Sequence, residues 1–153
     1  MRTLAPVLLA MMLALGAVAC GGNDARERNA YAAAVNRAQN GFASRFRTLS
    51  ARISGVNSPS QGRKALRGFQ QAVDRVLARL RSIHALPGLR GLHRRLIAQM
   101  RQYGREIAKA RAAFRTRSPV TILDAQNALV RATTAISARI NRTVAAINRE
   151  LRS

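Results

Sequence analysis

Apolar side chains recur every three or four residues along most of this chain, separated by polar and charged positions. Such spacing places the apolar side chains on one face of an α-helix. The pattern predicts four amphipathic helices, over about residues 25–55, 59–85, 88–117 and 119–152. Because the helices are similar in length and the connections are short, we expect an all-α fold, an antiparallel up-down-up-down four-helix bundle with coiled-coil-like packing. The alternative is a pair of long hairpins that dimerises into a larger bundle.

Turn and capping residues indicate where these helices begin and end. Ser58-Pro59 and Ser118-Pro119 each place a capping serine before a proline that suits the first helical position. Leu86-Pro87-Gly88 is a strong breaker between the second and third helices. Gly104 lies within the third apolar stripe, where glycine weakens a helix, so we expect a close helix–helix contact there.

The first 20 residues have the organisation of an export signal. Arg2 is followed by an uncharged apolar stretch, then by small residues, then by Cys20, which is the single cysteine of the chain. An uncleaved membrane-spanning anchor and an ordinary secretory signal are the alternatives. A lone cysteine excludes an intramolecular disulfide and disfavours a cysteine-based zinc site.

The string Ala17-Val18-Ala19-Cys20 resembles the lipobox of bacterial lipoproteins. The resemblance implies that the Cys20 thiol receives diacylglyceryl, that cleavage precedes Cys20, and that the exported protein is anchored to the outer face of the cell membrane. The domains expected are a signal peptide over 1–19, the lipidated cysteine and a polar tether over 20–29, and a basic four-helix bundle over 30–153. The mature part of the chain resembles small helical lipoproteins of GC-rich Gram-positive bacteria in this lipobox, in Gly21-Gly22 and in its Arg- and Ala-rich composition. Those lipoproteins share no catalytic motif.

The charge is extreme, because 27 basic residues face only six carboxylates and give a net charge of +21. All but Lys64 and Lys109 of the basic residues are arginine. Such a surface favours an anionic partner, here anionic lipid or wall polymer, and the alternative is that arginine reflects a GC-rich composition. Several cations recur at i, i+4 spacing, where like charges destabilise a helix slightly. The candidate polyanion-binding residues are Arg63, Arg67, Arg75, Arg79, Arg90, Arg94, Arg101, Arg105 and Lys109.

Residues for catalysis or cofactor binding are sparse. No metalloprotease, phosphate-loop or nucleophile-elbow motif is present, so we predict a protein that is not an enzyme and has no cofactor. His84 and His93 are weak metal candidates, placed one step off the apolar stripes at partly exposed boundary positions. All six aromatic residues fall on the apolar stripes, which disfavours nucleic-acid binding by base stacking.

These observations favour a membrane-anchored, non-enzymatic surface lipoprotein whose Arg-rich bundle binds anionic envelope components. A second hypothesis is a helical scaffold or subunit that docks a protein partner while the charge is incidental. That scaffold predicts an exposed apolar stripe and salt-tolerant binding. The third is a metal- or ligand-binding bundle near His84 and His93.

Overall fold

The computed structural model describes residues 22–53, 58–116 and 118–153, and within these ranges it is all-helical, without a β-strand. The predicted signal segment 1–19, Cys20 and the predicted helix end at Gly55 lie outside the described residues, as do the side chains of Phe46, Leu49 and Ile53. The elements are α1 (Asn23–Ile53), α2 (Pro59–Ser82), a short 3-10 turn (Pro87–Leu89), α3 (Arg90–Ala113) and α4 (Pro119–Arg152).

The capping serines begin two of the helices as predicted. The Ser58 Oγ accepts a hydrogen bond from the Gln61 N–H at 3.3 Å, and the Ser118 Oγ accepts one from the Thr121 N–H, also at 3.3 Å. Each hydroxyl satisfies one of the N–H groups that a first helical turn leaves unpaired. Pro59 and Pro119 follow as the first helical residues, so both capping predictions are confirmed.

The first helix begins earlier than its apolar pattern. Residues 23–29, assigned from the sequence to a polar tether, form the first turns of α1. The Ala25 N–H donates to the Gly22 carbonyl oxygen at 3.1 Å, and Asp24 lies in the first turn. A carboxylate there interacts favourably with the positive end of the helix dipole.

The turn between α2 and α3 is longer than predicted. The helices were expected to meet over 85–88, but α2 ends at Ser82 and α3 begins at Arg90. Ile83 has an extended backbone, and Pro87–Leu89 form the 3-10 turn, in which proline fits because it lacks an N–H to donate. At its other end α3 stops at Ala113 instead of near residue 117.

The four helices pack against one another in chain order, α1 on α2, α2 on α3 and α3 on α4. Gly104 confirms the expected close contact, because a Cβ at that position would stand 3.3 Å from both Gln70 Nε2 and Val73 Cγ1 of α2. Its predicted stripe neighbour Tyr103 is also buried. The largest fully buried side chains come from all four helices: Val35, Val73, Leu80, Leu96, Ile136, Val144 and Ile147.

Candidate anion-binding surface

The candidate cations of α3 form one exposed row along the helix. Arg90, Arg94, Arg101, Arg105 and Lys109 are all exposed. Their spacing of four and seven residues places them on one face. Guanidinium groups pair bidentately with phosphate, so this row has the chemistry of a polyanion contact.

On α2, Arg67, Arg75 and Arg79 are exposed as well. Arg63 differs, because it is half-buried and its Nη1 donates to the Phe114 carbonyl oxygen at 2.8 Å. That bond satisfies a carbonyl at the end of α3, where the helix leaves such groups unpaired. Arg63 therefore stabilises the packing of α2 on α3, and its guanidinium is partly withdrawn from any external ligand.

Carboxylates offset little of this charge. Among the described residues one ion pair is present, between Lys109 Nζ and Glu106 Oε1 at 3.0 Å, and the Lys109 side chain is 72% exposed. Asp74 accepts a hydrogen bond from Gln70 Nε2 at 3.2 Å, which does not neutralise it. An exposed pair of this kind contributes little to stability. Among the described residues, no carboxylate forms an ion pair with an arginine of the α3 row.

Three of the six carboxylates lie together at one end of the molecule. Asp24, Glu27 and Glu150 line an open pocket of about 380 Å³, beside the Leu86–Leu89 turn. The Arg28 Nη1 also donates to the Leu151 carbonyl oxygen at this end, at 3.5 Å. The described chain holds no group of three or more His, Cys, Asp or Glu side chains arranged to hold a metal ion. This end therefore holds half of the carboxylates of the chain, beside Arg28.

The two histidines occupy opposite environments. His84 is exposed, but His93 is buried at 5% exposure, so the predicted boundary position is wrong for His93. The His93 Nε2–H donates to the Leu80 carbonyl oxygen at 2.9 Å, because a carbonyl oxygen can only accept. The ring Nδ1 shares a second hydrogen bond with the Tyr31 hydroxyl, at 3.1 Å. Both ring nitrogens are engaged, and His93 has neither one left for a metal shared with His84.

A regular spacing in the sequence could have revealed this burial. Leu89, His93 and Leu96 follow steps of four and three residues, and the buried positions Met100 and Tyr103 continue the same alternation. With Leu92 in place of His93, the steps from Leu89 become three, four and four, and the alternation is lost. Leu92 is only partly buried, because it lies beside the packed face.

Burial also sets the ionisation of the two tyrosines. It raises the pKa of Tyr31 to about 12, and it raises the pKa of Tyr103 too. The charged phenolate is disfavoured where water is excluded. The Tyr103 ring meets Phe42 edge to face, with 5.9 Å between ring centroids, and so joins α3 to α1. The Tyr31 and Tyr103 side chains are therefore part of the hydrophobic core.

Arg45 is not among the cations predicted for the surface, but the structure places it beside two of them. Arg45 of α1 lines a narrow groove together with Arg75 and Arg79 of α2, next to Gly41. One signal was available in the sequence, since Gly41 interrupts a helical pattern four residues before Arg45, on the same face. The pairing of α1 with α2 was needed to connect it with Arg79.

Large apolar side chains are exposed on the first half of α4. Val120 is 69% exposed, Leu123 57% and Val130 40%. Residues 118–130 contain no Arg or Lys, and Asp124 is their one charged residue. This neutral apolar face contrasts with the basic rows of α2 and α3.

Compared with protein-family models, with curated proteins and with solved structures, the chain has no significant match. None of the helices in the described part of the chain is both long enough and apolar enough to span a membrane.

Proposed function

We propose that the protein is a lipid-anchored, non-enzymatic surface lipoprotein whose Arg-rich helical bundle binds anionic lipid or wall polymer of the cell envelope. The observation that carries the proposal is the exposed row of Arg90, Arg94, Arg101 and Arg105 on α3. Like charges one turn apart destabilise a helix by roughly 0.2–0.5 kcal/mol per pair. A bound polyanion offsets that repulsion.

The anchor in this proposal is diacylglyceryl on Cys20, close in sequence to the first residue of α1, Asn23. Replacing Cys20 with Ala is expected to release the protein from membranes or to leave an unprocessed precursor. Fractionation of cells and metabolic labelling with a fatty acid measure this. Normal lipid labelling of C20A contradicts the anchor.

We further propose that the helices run up-down-up-down with coiled-coil-like packing. Two hydrogen bonds and one pocket support this arrangement. Arg28, near the start of α1, bonds to Leu151, near the end of α4, and Arg63, near the start of α2, bonds to Phe114 at the end of α3. The pocket with the three carboxylates is lined by the start of α1 and by the turn between α2 and α3.

The charge distribution favours a side of the bundle as the binding surface. The end that carries Asp24 and Glu27 includes the start of α1 and is therefore the end nearest the proposed anchor. An anionic surface repels carboxylates that lie within a Debye length, about 8 Å at physiological salt. The exposed α3 row runs along the helix, so a polyanion lying along the bundle meets several arginines at once.

Co-sedimentation of residues 23–153 on vesicles tests the proposal. This segment contains all four helices and the buried core, and it lacks Cys20, so lipid anchoring does not contribute. We expect binding to vesicles rich in anionic phospholipid, steep loss of binding with added salt, and no binding to neutral vesicles. Anionic wall polymer immobilised on beads provides the second arm. If the segment binds neither anionic vesicles nor the immobilised wall polymer at low salt, the proposal is contradicted.

The exposed apolar face of α4 favours a second candidate function, a scaffold that docks a protein partner. Val120, Leu123 and Val130 follow steps of three and seven residues, a spacing that suits one partner helix. Because the chain as a whole is strongly basic, the partner we propose is an amphipathic helix flanked by carboxylates. Serine substitutions at these three positions, with the α3 row intact, should abolish such docking and leave vesicle binding unchanged.

A further inference from the structure

Three arginines from two helices line one groove between α1 and α2. Arg45 comes from α1, and Arg75 and Arg79 come from α2. Two small or apolar residues of α2, Ala72 and Val76, are buried and form its floor. We call this site the arginine groove and define it by Gly41, Arg45, Ala72, Arg75, Val76 and Arg79.

Gly41 allows Arg79 to approach the backbone of α1 closely. A Cβ at position 41 would stand 2.8 Å from the Arg79 Nη1 atom, which is too close for an undisturbed contact. Glycine in the middle of a helix costs roughly 0.5–1 kcal/mol relative to alanine. Alanine at position 41 would therefore require the end of the exposed Arg79 side chain to move away from α1.

The charge in the groove is unbalanced. The described residues that line it include three guanidinium groups and no carboxylate. Asp74, next to Arg75 in sequence, instead accepts the Gln70 Nε2 hydrogen bond. Arg75 and Arg79 stand one turn apart on α2, so their charges repel each other in the free protein. An anion placed between the three groups removes that repulsion.

The groove is too small for a metabolite. Its volume is about 10 Å³, close to the space that one water molecule needs. One oxygen atom of an anionic group fits, while the rest of the group stays in solvent among the exposed guanidiniums. A phosphate group has this shape, with several oxygens that guanidinium forks bind in pairs.

We propose that the arginine groove binds a phosphate group, with one phosphate oxygen seated between α1 and α2 beside Gly41. This inference rests on the proposed polyanion binding and names the chemical group recognised. The same phosphate chemistry occurs in free phosphate, in a phospholipid headgroup and in a phosphate-bearing polymer. The three sources are separated by the probes.

The test uses the full chain in non-ionic detergent with three probes: inorganic phosphate, polyphosphate, and detergent micelles with phosphatidylglycerol. Gly41→Ala leaves the net charge unchanged and displaces the Arg79 guanidinium, so we expect phosphate binding to weaken roughly three- to fivefold. The melting temperature should be unchanged or higher, because alanine favours the helix. The shift of arginine side-chain NMR signals on titration measures affinity at the groove itself.

Two triple variants separate the groove from general charge. One replaces Arg45, Arg75 and Arg79 with Gln, and its control replaces the exposed Arg81, Arg115 and Arg142 with Gln. Both lose the same three charges, but we expect a loss of phosphate binding of more than about tenfold only in the groove variant. Equal losses in the two variants, or unchanged binding in G41A, overturn the groove and leave the proposed polyanion binding intact.

The probes also separate the groove from the function on which it rests. One outcome is that inorganic phosphate binds to the groove while polyphosphate and the micelles do not bind. This result supports the groove as a phosphate site and contradicts the proposed envelope function. If the groove substitutions weaken binding to the micelles, the ligand is a lipid headgroup. If they weaken binding to polyphosphate alone, the ligand is a phosphate-bearing polymer. Failure of all three probes at low salt overturns both inferences.

Discussion

The two halves of α4 differ in how deeply their apolar side chains are buried. In the second half, Ile136, Val144 and Ile147 are at most 1% exposed. In the first half, Val120 and Leu123 are more than half exposed, and no residue before Ile136 is buried. Both halves carry apolar residues at helical spacing, so the pattern that predicts a helix does not by itself predict that its apolar face is covered.

The position around the helix gives the physical reason for this difference. Ile122 and Leu129 of the first half are partly buried and pack against the core, whereas Val120, Leu123 and Val130 lie on another face that is exposed. The second half of α4 is held on α3, where Gln99 Nε2 donates to the Arg139 carbonyl oxygen at 3.3 Å. An apolar residue is therefore buried only where its own face of the helix meets a neighbouring helix.

The largest effect should come from truncating a buried residue in the second half of α4. Ile147→Ala removes a side chain that is fully buried, and we expect it to lower the free energy of unfolding by about 2–5 kcal/mol. Leu123→Ala, in the uncovered half, should change it by less than about 0.5 kcal/mol. Urea unfolding measures both.

Hydrogen exchange gives an independent check of the same contrast. Amides around Ile147 should be protected more strongly than amides around Leu123, because uncovered helix opens at lower cost. Similar losses for the two alanine variants, together with similar protection, contradict the difference between the two halves.

The next effect concerns a polar side chain in the covered region. His93→Leu removes the partner of the Tyr31 hydroxyl and one of two donors to the Leu80 carbonyl oxygen, which also accepts from the Ile83 N–H. We expect a loss of about 1–3 kcal/mol, because buried polar groups lose their partners. His84→Leu, on the exposed histidine, is the matched control and should be near neutral. Thermal unfolding measures both, and equal shifts contradict the buried role of His93.

Two glycines distinguish covered from open helix surface. A Cβ on the buried Gly62 would overlap the Phe114 ring, whereas a Cβ on Gly91 meets no atom within 4 Å. Gly62→Ala should lower the free energy of unfolding by about 1–3 kcal/mol through overpacking. Gly91→Ala should raise it by about 0.5–1 kcal/mol through helix propensity. Chemical denaturation measures the pair, and a stabilising G62A contradicts the close contact.

The last effect is absent at neutral pH and appears only in alkaline solution. Burial raises the pKa of Tyr31 to about 12 from an ordinary value of 10.0. Between these values the unfolded chain loses a proton that the folded chain keeps, so stability present below pH 10 falls as the pH rises through 12. The slope is at most about 1.4 kcal/mol per pH unit for one tyrosine.

Tyr31→Phe provides the test of this alkaline dependence. The variant should unfold with a shallower pH dependence between pH 10 and 12, and Tyr103 supplies the slope that remains. Denaturant unfolding at a series of pH values measures it. An identical slope in the variant shows that Tyr31 does not titrate differently in the folded state.

Some features of the fold were predictable because they depend on neighbouring residues. Ser58 and Ser118 cap their helices through bonds to residues three positions later, and Gly104 was recognisable as a break in an apolar stripe. The candidate surface was predictable in the same way, since exposed arginines follow from the pattern opposite the core. Arg63 shows the limit, because its bond to Phe114 depends on a residue in another helix.

The sequence by itself determined the helices, their capping residues and the excess of arginine, because hydrogen bonds within a helix and side-chain periodicity depend on residues close in the chain. The anchor at Cys20 stays a prediction from the sequence. Only the tertiary structure decided that His93 is buried while His84 is not, and that Arg45 lines the same groove as Arg79 beside Gly41. It also left Val120, Leu123 and Val130 of α4 exposed. These outcomes depend on which helices pack together, and no local pattern contains that information.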